Sequence, residues 1–239
     1  MARRRFYVSA IRDGRAEILG DEARHLARVL RAEGGQRYEI SDGQAAYLAE
    51  IAEAGAGRVA FQVVEAVPSA ELPARVTLCA SLVKFDRFEW IVEKATELGA
   101  ERLLPVDALR SEKGLRAAAA KRCERWRKIA FESGQQCRRL GPPEVLDAVD
   151  FTAALRVEAD YRFFLDEAAT APLLSLVPRV RTRGDRISLL TGPEGGWTED
   201  ERARAAAAGW PGASLGGLVL RAETAALAGL AAIAAAWMA

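Results

Sequence analysis

The sequence predicts an α/β protein preceded by a small β-rich unit. Two observations carry this. From Arg75 onward, short apolar runs alternate with stretches whose apolar residues recur at helical spacing, the pattern of a mostly parallel sheet covered by helices. Before Glu71 the apolar residues come in short runs separated by turn signals, and Pro68 and Pro73 bracket the change of regime. The expected division is 1–71 and 75–239.

In the first segment Phe6-Tyr7-Val8 reads as a strand. Residues 21–30 read as a short helix, with Asp21 and Glu22 at the end where the helix dipole favours acids. Tyr38-Glu39-Ile40 runs into Asp42-Gly43, a hairpin-type turn, and 47–51 and 59–67 supply further strands. In the second segment 76–83 is nearly continuously apolar, as in a strand buried on both faces. Residues 86–98 place Phe88, Ile91, Val92, Ala95 and Leu98 on one helical stripe, and Gly99 ends it. A strand at 103–106 and a long basic helix at 117–137 follow, then buried strands at 161–165 and 187–190. Thr198 precedes a helix to 208, with Glu201 three residues on, the signature of a capping box. The last helix runs over 222–238.

Composition narrows the function. Of 239 residues, 50% are hydrophobic and 28% charged, which excludes disordered, collagen-like and coiled-coil classes. Cys79, Cys123 and Cys137 make no disulfide framework, and with His25 as the one histidine no zinc-ligand spacing exists, so no metal is expected. A Ser-His-Asp triad would have to use His25, whose surroundings suit it poorly. No apolar run follows Arg3-Arg4-Arg5, and the uncharged stretch 225–239 is too short to span a bilayer, so a cytoplasmic protein is expected. Residues 75–145 hold 15 basic and 10 acidic side chains, against 10 and 11 before them and 9 and 12 after. A basic middle is compatible with a polyanionic partner.

Two motifs bear on chemistry. Thr191-Gly192-Pro193-Glu194-Gly195-Gly196-Trp197 lies between a buried strand and a capped helix, where open α/β sheets place their ligands. It has neither the Gly-x-Gly-x-x-Gly nor the Gly-Lys-Ser/Thr pattern of nucleotide loops. The second, Ser214-Leu215-Gly216-Gly217-Leu218-Val219-Leu220-Arg221-Ala222-Glu223-Thr224-Ala225, opens the last helix. Arg221 there either neutralises an anionic substrate or forms an internal ion pair with Glu223 or another acid.

Together the motifs resemble the SPOUT class of RNA methyltransferases, and within it the 16S rRNA (uracil-N3)-methyltransferases, the RsmE family. That family shows Gly-Pro-Glu-Gly-Gly and then Leu-Gly-x-Arg-Ile-Leu-Arg-x-Glu-Thr-Ala, matched here by 192–196 and by Leu215-Gly216, Val219-Leu220-Arg221 and Glu223-Thr224-Ala225. The resemblance extends over the chain. Arg4 to Val8, His25 to Arg31 and Asp42-Gly43 fit its N-terminal domain; Lys84, Arg87, Glu89, Lys94, Glu97-Leu98-Gly99 and Pro105 fit its centre, as do Gln136-Cys137, Arg139 and Pro143. Two departures stand out: Leu218 replaces a family arginine, and Ser111-Glu112-Lys113 is a reduced form of a Ser-Glu-Arg-Ser segment.

The resemblance implies a small N-terminal PUA-like RNA-binding β-barrel and a C-terminal SPOUT α/β domain with a deep trefoil knot that binds S-adenosylmethionine. It implies cofactor contacts from Leu165, Asp166, Glu167, Thr191, Gly192, Pro193, Glu194, Gly195, Gly196, Leu215, Gly216, Leu218, Val219, Leu220, Thr224 and Ala225. Arg221 becomes the candidate for stabilising the uridine N3 anion, and Glu194 a candidate base or else a helix-terminal carboxylate. Phosphate contacts are expected from Arg3, Arg4, Arg5, His25, Arg28, Arg31, Lys84, Arg87, Arg138 and Arg139. The partner would be 16S rRNA, within the small ribosomal subunit, and the enzyme a homodimer. A ribose 2′-O methyltransferase of the same class and a non-catalytic ribosome-assembly factor remain the alternatives.

Overall fold

A computed structural model describes residues 4–28, 31–55 and 57–238. The chain forms two compact units, Met1–Glu71 with Phe131–Pro142, and Leu72–Ala130 with Pro143–Ala239.

The first unit is a five-stranded sheet in the order β1-β3-β4-β5-β2, with α1 (Gly20–Arg28) packed on it. Its strands are β1 (Arg5–Tyr7), β2 (Arg15–Leu19), β3 (Arg37–Ser41), β4 (Ala46–Ala54) and β5 (Arg58–Val67). Only β1 and β3 run parallel. Register shifts between Leu48 and Ala49 and between Ile51 and Glu53 bend the β4–β5 ribbon. The sheet curls as a half-barrel around Phe6, Ile18, Leu26, Ile40, Ile51 and Phe61. The hairpin between β3 and β4 is closed as its Asp-Gly pair predicts: Asp42 Oδ1 accepts from the Gln44 and Ala45 N–H groups, and Gly43 takes φ +88°. The strand β2 was not expected, because only Ala16 and Ile18 point inward, too short an alternation to read.

Residues 131–142 join this unit through contacts that no reading along the chain would supply. They include the end of α3 (Leu115–Gln136). Phe131 meets the Tyr7 ring edge-on at 5.1 Å, Gln135 donates to Glu22 at 2.6 Å, and Ser41 donates to the Leu140 carbonyl at 2.7 Å. Gly134 has to be glycine here, since a Cβ would stand 2.5 Å from the Tyr7 hydroxyl.

The second unit is an all-parallel sheet in the order β12-β10-β11-β6-β7-β8, with β9 also paired to β7. Its strands are β6 (Arg75–Ser81), β7 (Arg102–Asp107), β8 (Glu144–Val145), β9 (Val149–Asp150), β10 (Tyr161–Leu165), β11 (Arg186–Thr191) and β12 (Gly212–Ala213). Alternate strand residues serve two cores. Leu78, Leu103, Phe163 and Leu189 pack with α2 (Phe85–Glu97), α3 and α6 (Ala222–Met238) through Ile91, Trp126 and Leu230. Cys79, Leu104, Phe164 and Leu190 pack on the other face with α4 (Phe151–Ala154), α5 (Glu199–Ala207), Trp197 and Trp210. Burial on both faces is why these strands read as unbroken apolar runs. Burial pushes the Cys79 thiol up to about 12, so it is inert packing. The elements β8, β9, β12 and α4 span two to four residues each, too short for periodicity to reveal.

Because every strand pairing in this sheet is parallel, the carboxyl ends of β10, β11 and β12 share one edge. The loops after them, 192–197 and 214–221, are thereby brought together. Gly229 lets α6 close on this region, since a Cβ there would lie 2.7 Å from Leu165 Cδ1. Among the described residues no helix is long and apolar enough to cross a membrane, and no group of three or more acidic, histidine or cysteine residues could hold a metal.

Candidate active site

The shared edge encloses a cleft of about 440 Å³, within the range of ligand sites. One wall is the end of β10, with Leu165, Asp166 and Glu167. A second is the loop after β11, with Gly192, Pro193, Glu194, Gly196 and Trp197. The third runs from Ala213 and Ser214 through Leu215, Gly216, Leu218, Val219, Leu220 and Arg221 to Ala222 and Ala225 of α6. Arg87 of α2 completes the lining.

The 192–197 loop is held on several sides. Trp197 is buried, donates Nε1–H to the Leu165 carbonyl at 2.8 Å, and stacks on Phe164 with ring centres 4.6 Å apart. A Cβ on Gly192 would meet the Trp197 indole at 3.0 Å. Arg110 donates to the Gly195 and Trp197 carbonyls at 3.1 and 3.3 Å. The expected capping box is present at α5, and Glu201 also accepts from the Leu109 N–H at 2.8 Å. The 214–221 loop stands open by contrast, with Leu218 83% and Val219 80% exposed.

Most residues expected at the cofactor line the cleft, but three do not. Thr191 is buried in β11, Gly195 faces Arg110, and Thr224 is exposed on α6 away from the lining. Asp166 lines it while its carboxylate is gripped by Arg202 at 2.7 and 3.0 Å. Arg87, Trp197, Ala213, Ser214 and Ala222 line it without having been expected there. The tryptophan had a signal, a large apolar side chain closing a glycine run; Arg87 had none for this place.

Arg221 is exposed at the rim and has no ion-pair partner among the described residues. An ion pair between Arg221 and Glu223 is not formed. Glu223, only 9% exposed, instead has Oε1 at 3.9 Å from Arg87 Nε, while its buried Oε2 has no hydrogen-bond partner among the described residues. Arg87 also pairs with Glu194.

The expected phosphate contacts separate into distinct groups. Arg3 lies outside the described residues. Arg5 corrects the expectation: it is 2% exposed, grips Glu39 at 2.9 and 3.1 Å, and donates to the Arg138 carbonyl at 2.6 Å. Arg5 and Glu39 are register partners of β1 and β3, so the sheet itself imposes this pair. Arg138 is exposed but bonds Glu39 at 3.2 Å; Arg139 is half-buried and donates to the Gly141 carbonyl at 3.2 Å. Arg4 is half-buried over the Phe6 ring. His25, Arg28, Arg31 and Lys84 are exposed. Arg87 is engaged in the cleft.

Residues 70–234 match the family model of the RNA methyltransferase domain, which defines the class. The chain is 33% identical over 229 residues to ribosomal RNA small subunit methyltransferase E of Bacillus subtilis, covering 90% of this chain and 88% of that one. Two solved structures are similar throughout. One is a ribosomal RNA small subunit methyltransferase E from Neisseria gonorrhoeae bound to S-adenosyl methionine, 28% identical, TM-score 0.86, covering 97% of each chain. The other is a putative methyltransferase from Legionella pneumophila in complex with the same cofactor, 25% identical, TM-score 0.88, covering 99% of this chain and 98% of that one. The chain belongs to the ribosomal RNA small subunit methyltransferase E family, with its small barrel and SPOUT α/β domain.

The cleft fits S-adenosylmethionine on its own terms. Its volume suits a nucleoside, and Leu165, Leu215 and Leu220 give apolar surface for a base. Glu167 sets a carboxylate beside the walls that a cationic ligand would face, while Asp166 and Glu194 stand there already paired with Arg202 and Arg87. At Gly196, a Cβ would come within 3.2 Å of Glu167 Oε1, so peptide rather than side chain forms the wall.

Proposed function

We propose that this chain is a S-adenosylmethionine-dependent methyltransferase that methylates N3 of a uridine in 16S ribosomal RNA. The observation that carries the chemistry is Arg221, a cation unpaired among the described residues on the rim of a peptide-walled cleft. Uridine N3 is a weak acid, and removing its proton spreads negative charge onto the flanking carbonyl oxygens. An unpaired guanidinium can meet that charge without first giving up a partner. The cofactor, when bound, supplies a methyl group made electrophilic by the positive sulfur that carries it. The residues of the cleft then orient and exclude water: Leu165, Leu215 and Leu220 enclose the base, and the loop glycines let peptide groups approach. Glu194 is committed to Arg87, so we assign it to holding the wall rather than to proton removal.

Exposed His25, Arg28 and Arg31 on the first unit, and Lys84 on the second, are the phosphate contacts we assign; Arg5 belongs to the fold. We assign the work to the cytoplasm, on the small ribosomal subunit, by a homodimer to which exposed Leu218 and Val219 offer apolar surface. The test is transfer from labelled cofactor to small subunits lacking the modification, followed by nucleoside mass spectrometry. N3-methyluridine is the expected product; a ribose-methylated nucleoside, or no transfer, overturns the reading.

A further inference from the structure

We propose that Arg87 is a positioning residue that clamps the two cleft loops together, with buried Glu223 as its anchor. The proposal rests on the reading of the cleft as the methyl-transfer site. Three elements meet at one guanidinium. Arg87 comes from α2, Glu194 from the loop after β11, and Glu223 from the first turn of α6, which packs on α2.

The charges explain why Arg87 stays. Glu223 is nine-tenths buried and, among the described residues, its Oε2 has no hydrogen-bond partner and its one ion pair is with Arg87 at 3.9 Å. A buried carboxylate in that state holds a nearby cation strongly, because the charge is otherwise uncompensated. The guanidinium, fixed from below, has donors left for Glu194 at the cleft. The contacts of Trp197 and Arg110 hold the base of that loop but do not reach the Glu194 side chain. Glu223 also stands two residues after Arg221, and the Arg221 carbonyl accepts from the Ala225 N–H at 2.8 Å in the same helical turn. Fixing Glu223 therefore fixes where Arg221 leaves the helix. One side chain sets both the cofactor wall and the catalytic cation, and it does so without touching RNA.

The test uses the full chain and an Arg87→Met/Glu223→Gln double variant, which removes both charges and leaves no buried ion unpaired. S-adenosylhomocysteine binding is measured by calorimetry, methyl transfer by kinetics, and affinity for a 16S rRNA fragment by fluorescence polarisation. Small misplacements of reacting groups cost up to about a hundredfold, so we expect cofactor affinity and kcat each to fall about tenfold, with RNA affinity unchanged. Cofactor affinity and kcat that both stay near wild type overturn the clamp. So does a loss confined to RNA affinity, which would make Arg87 a phosphate contact. Should the double variant fail to fold, Glu194→Gln removes the clamp's exposed end alone; unchanged cofactor affinity there overturns it. Arg87→Lys keeps a charge for Glu223 but cannot span two carboxylates with a fork, so only partial recovery is expected and full recovery overturns it. Wild type that fails to bind S-adenosylhomocysteine overturns the functional reading itself.

Discussion

The loop after β11 and the loop after β12 both carry glycines and both lead into a helix, yet they are held in opposite ways. The first is pinned by an indole hydrogen bond, two arginine–carbonyl bonds and a capping box. The second has Leu218 and Val219 in solvent, and among the described residues nothing stands within 4 Å of a Cβ built on Gly216 or Gly217. Glycine serves a different need in each. In the first loop it relieves crowding, because Trp197 and Arg110 occupy the space where a side chain would go. In the second, Gly216 supplies a φ of +129° that side chains rarely adopt, and Gly217 faces open space. The contrast sets a pinned wall of the cleft against an open one, and the open one carries Arg221, the cation assigned above to the uridine anion.

The strongest test of that division is Arg221→Ala. Loss of a group that meets developing charge is worth about a hundredfold to a thousandfold in kcat. Thermal stability and cofactor affinity should stay near wild type, since the Arg221 side chain has no ion-pair partner among the described residues to abandon. A matching fall in melting temperature would show that the open loop is structural after all.

Next in size is a paired substitution. Gly192→Ala sets a methyl against a buried indole and should destabilise by about 1–3 kcal/mol, read by chemical denaturation, with weakened cofactor binding. Gly217→Ala meets open space and should stay within about 0.5 kcal/mol. Equal costs would break the contrast between the loops.

Thr198→Ala removes one half of the capping box at the end of the pinned loop. It should cost about 1 kcal/mol of stability by the same assay. The smallest effect belongs to Leu218→Arg. Stability should stay within about 0.5 kcal/mol, because the side chain is 83% exposed. The logarithmic salt slope of rRNA binding should steepen by about 0.7–0.9 if the added cation reaches a phosphate. An unchanged slope would place the open loop away from the RNA backbone.

Several of these features can be read without a structure. The Gly-Pro-Glu-Gly-Gly run between an apolar strand and a Thr-x-x-Glu cap places a ligand loop, because strand ends and helix starts are local events. The long helices at 85–97, 115–136 and 222–238 declare themselves by length or periodicity. Arg5 shows where such reading stops. Its neighbours in sequence are other arginines, and what buries it is Glu39, which becomes its neighbour only through strand register. The same holds for 131–142, whose contacts with Tyr7, Glu22 and Ser41 reach across roughly a hundred residues or more.

The sequence alone determined the longer strands and helices and the two glycine loops that line the cleft, since patterning and capping act over a few residues, while β2, β8, β9, β12 and α4 were too short to read. The tertiary structure decided the fate of each charge. Whether an arginine faces a carboxylate, a carbonyl or water depends on strand order and helix packing. Those are settled by burial of the whole core, and no short window of residues records them.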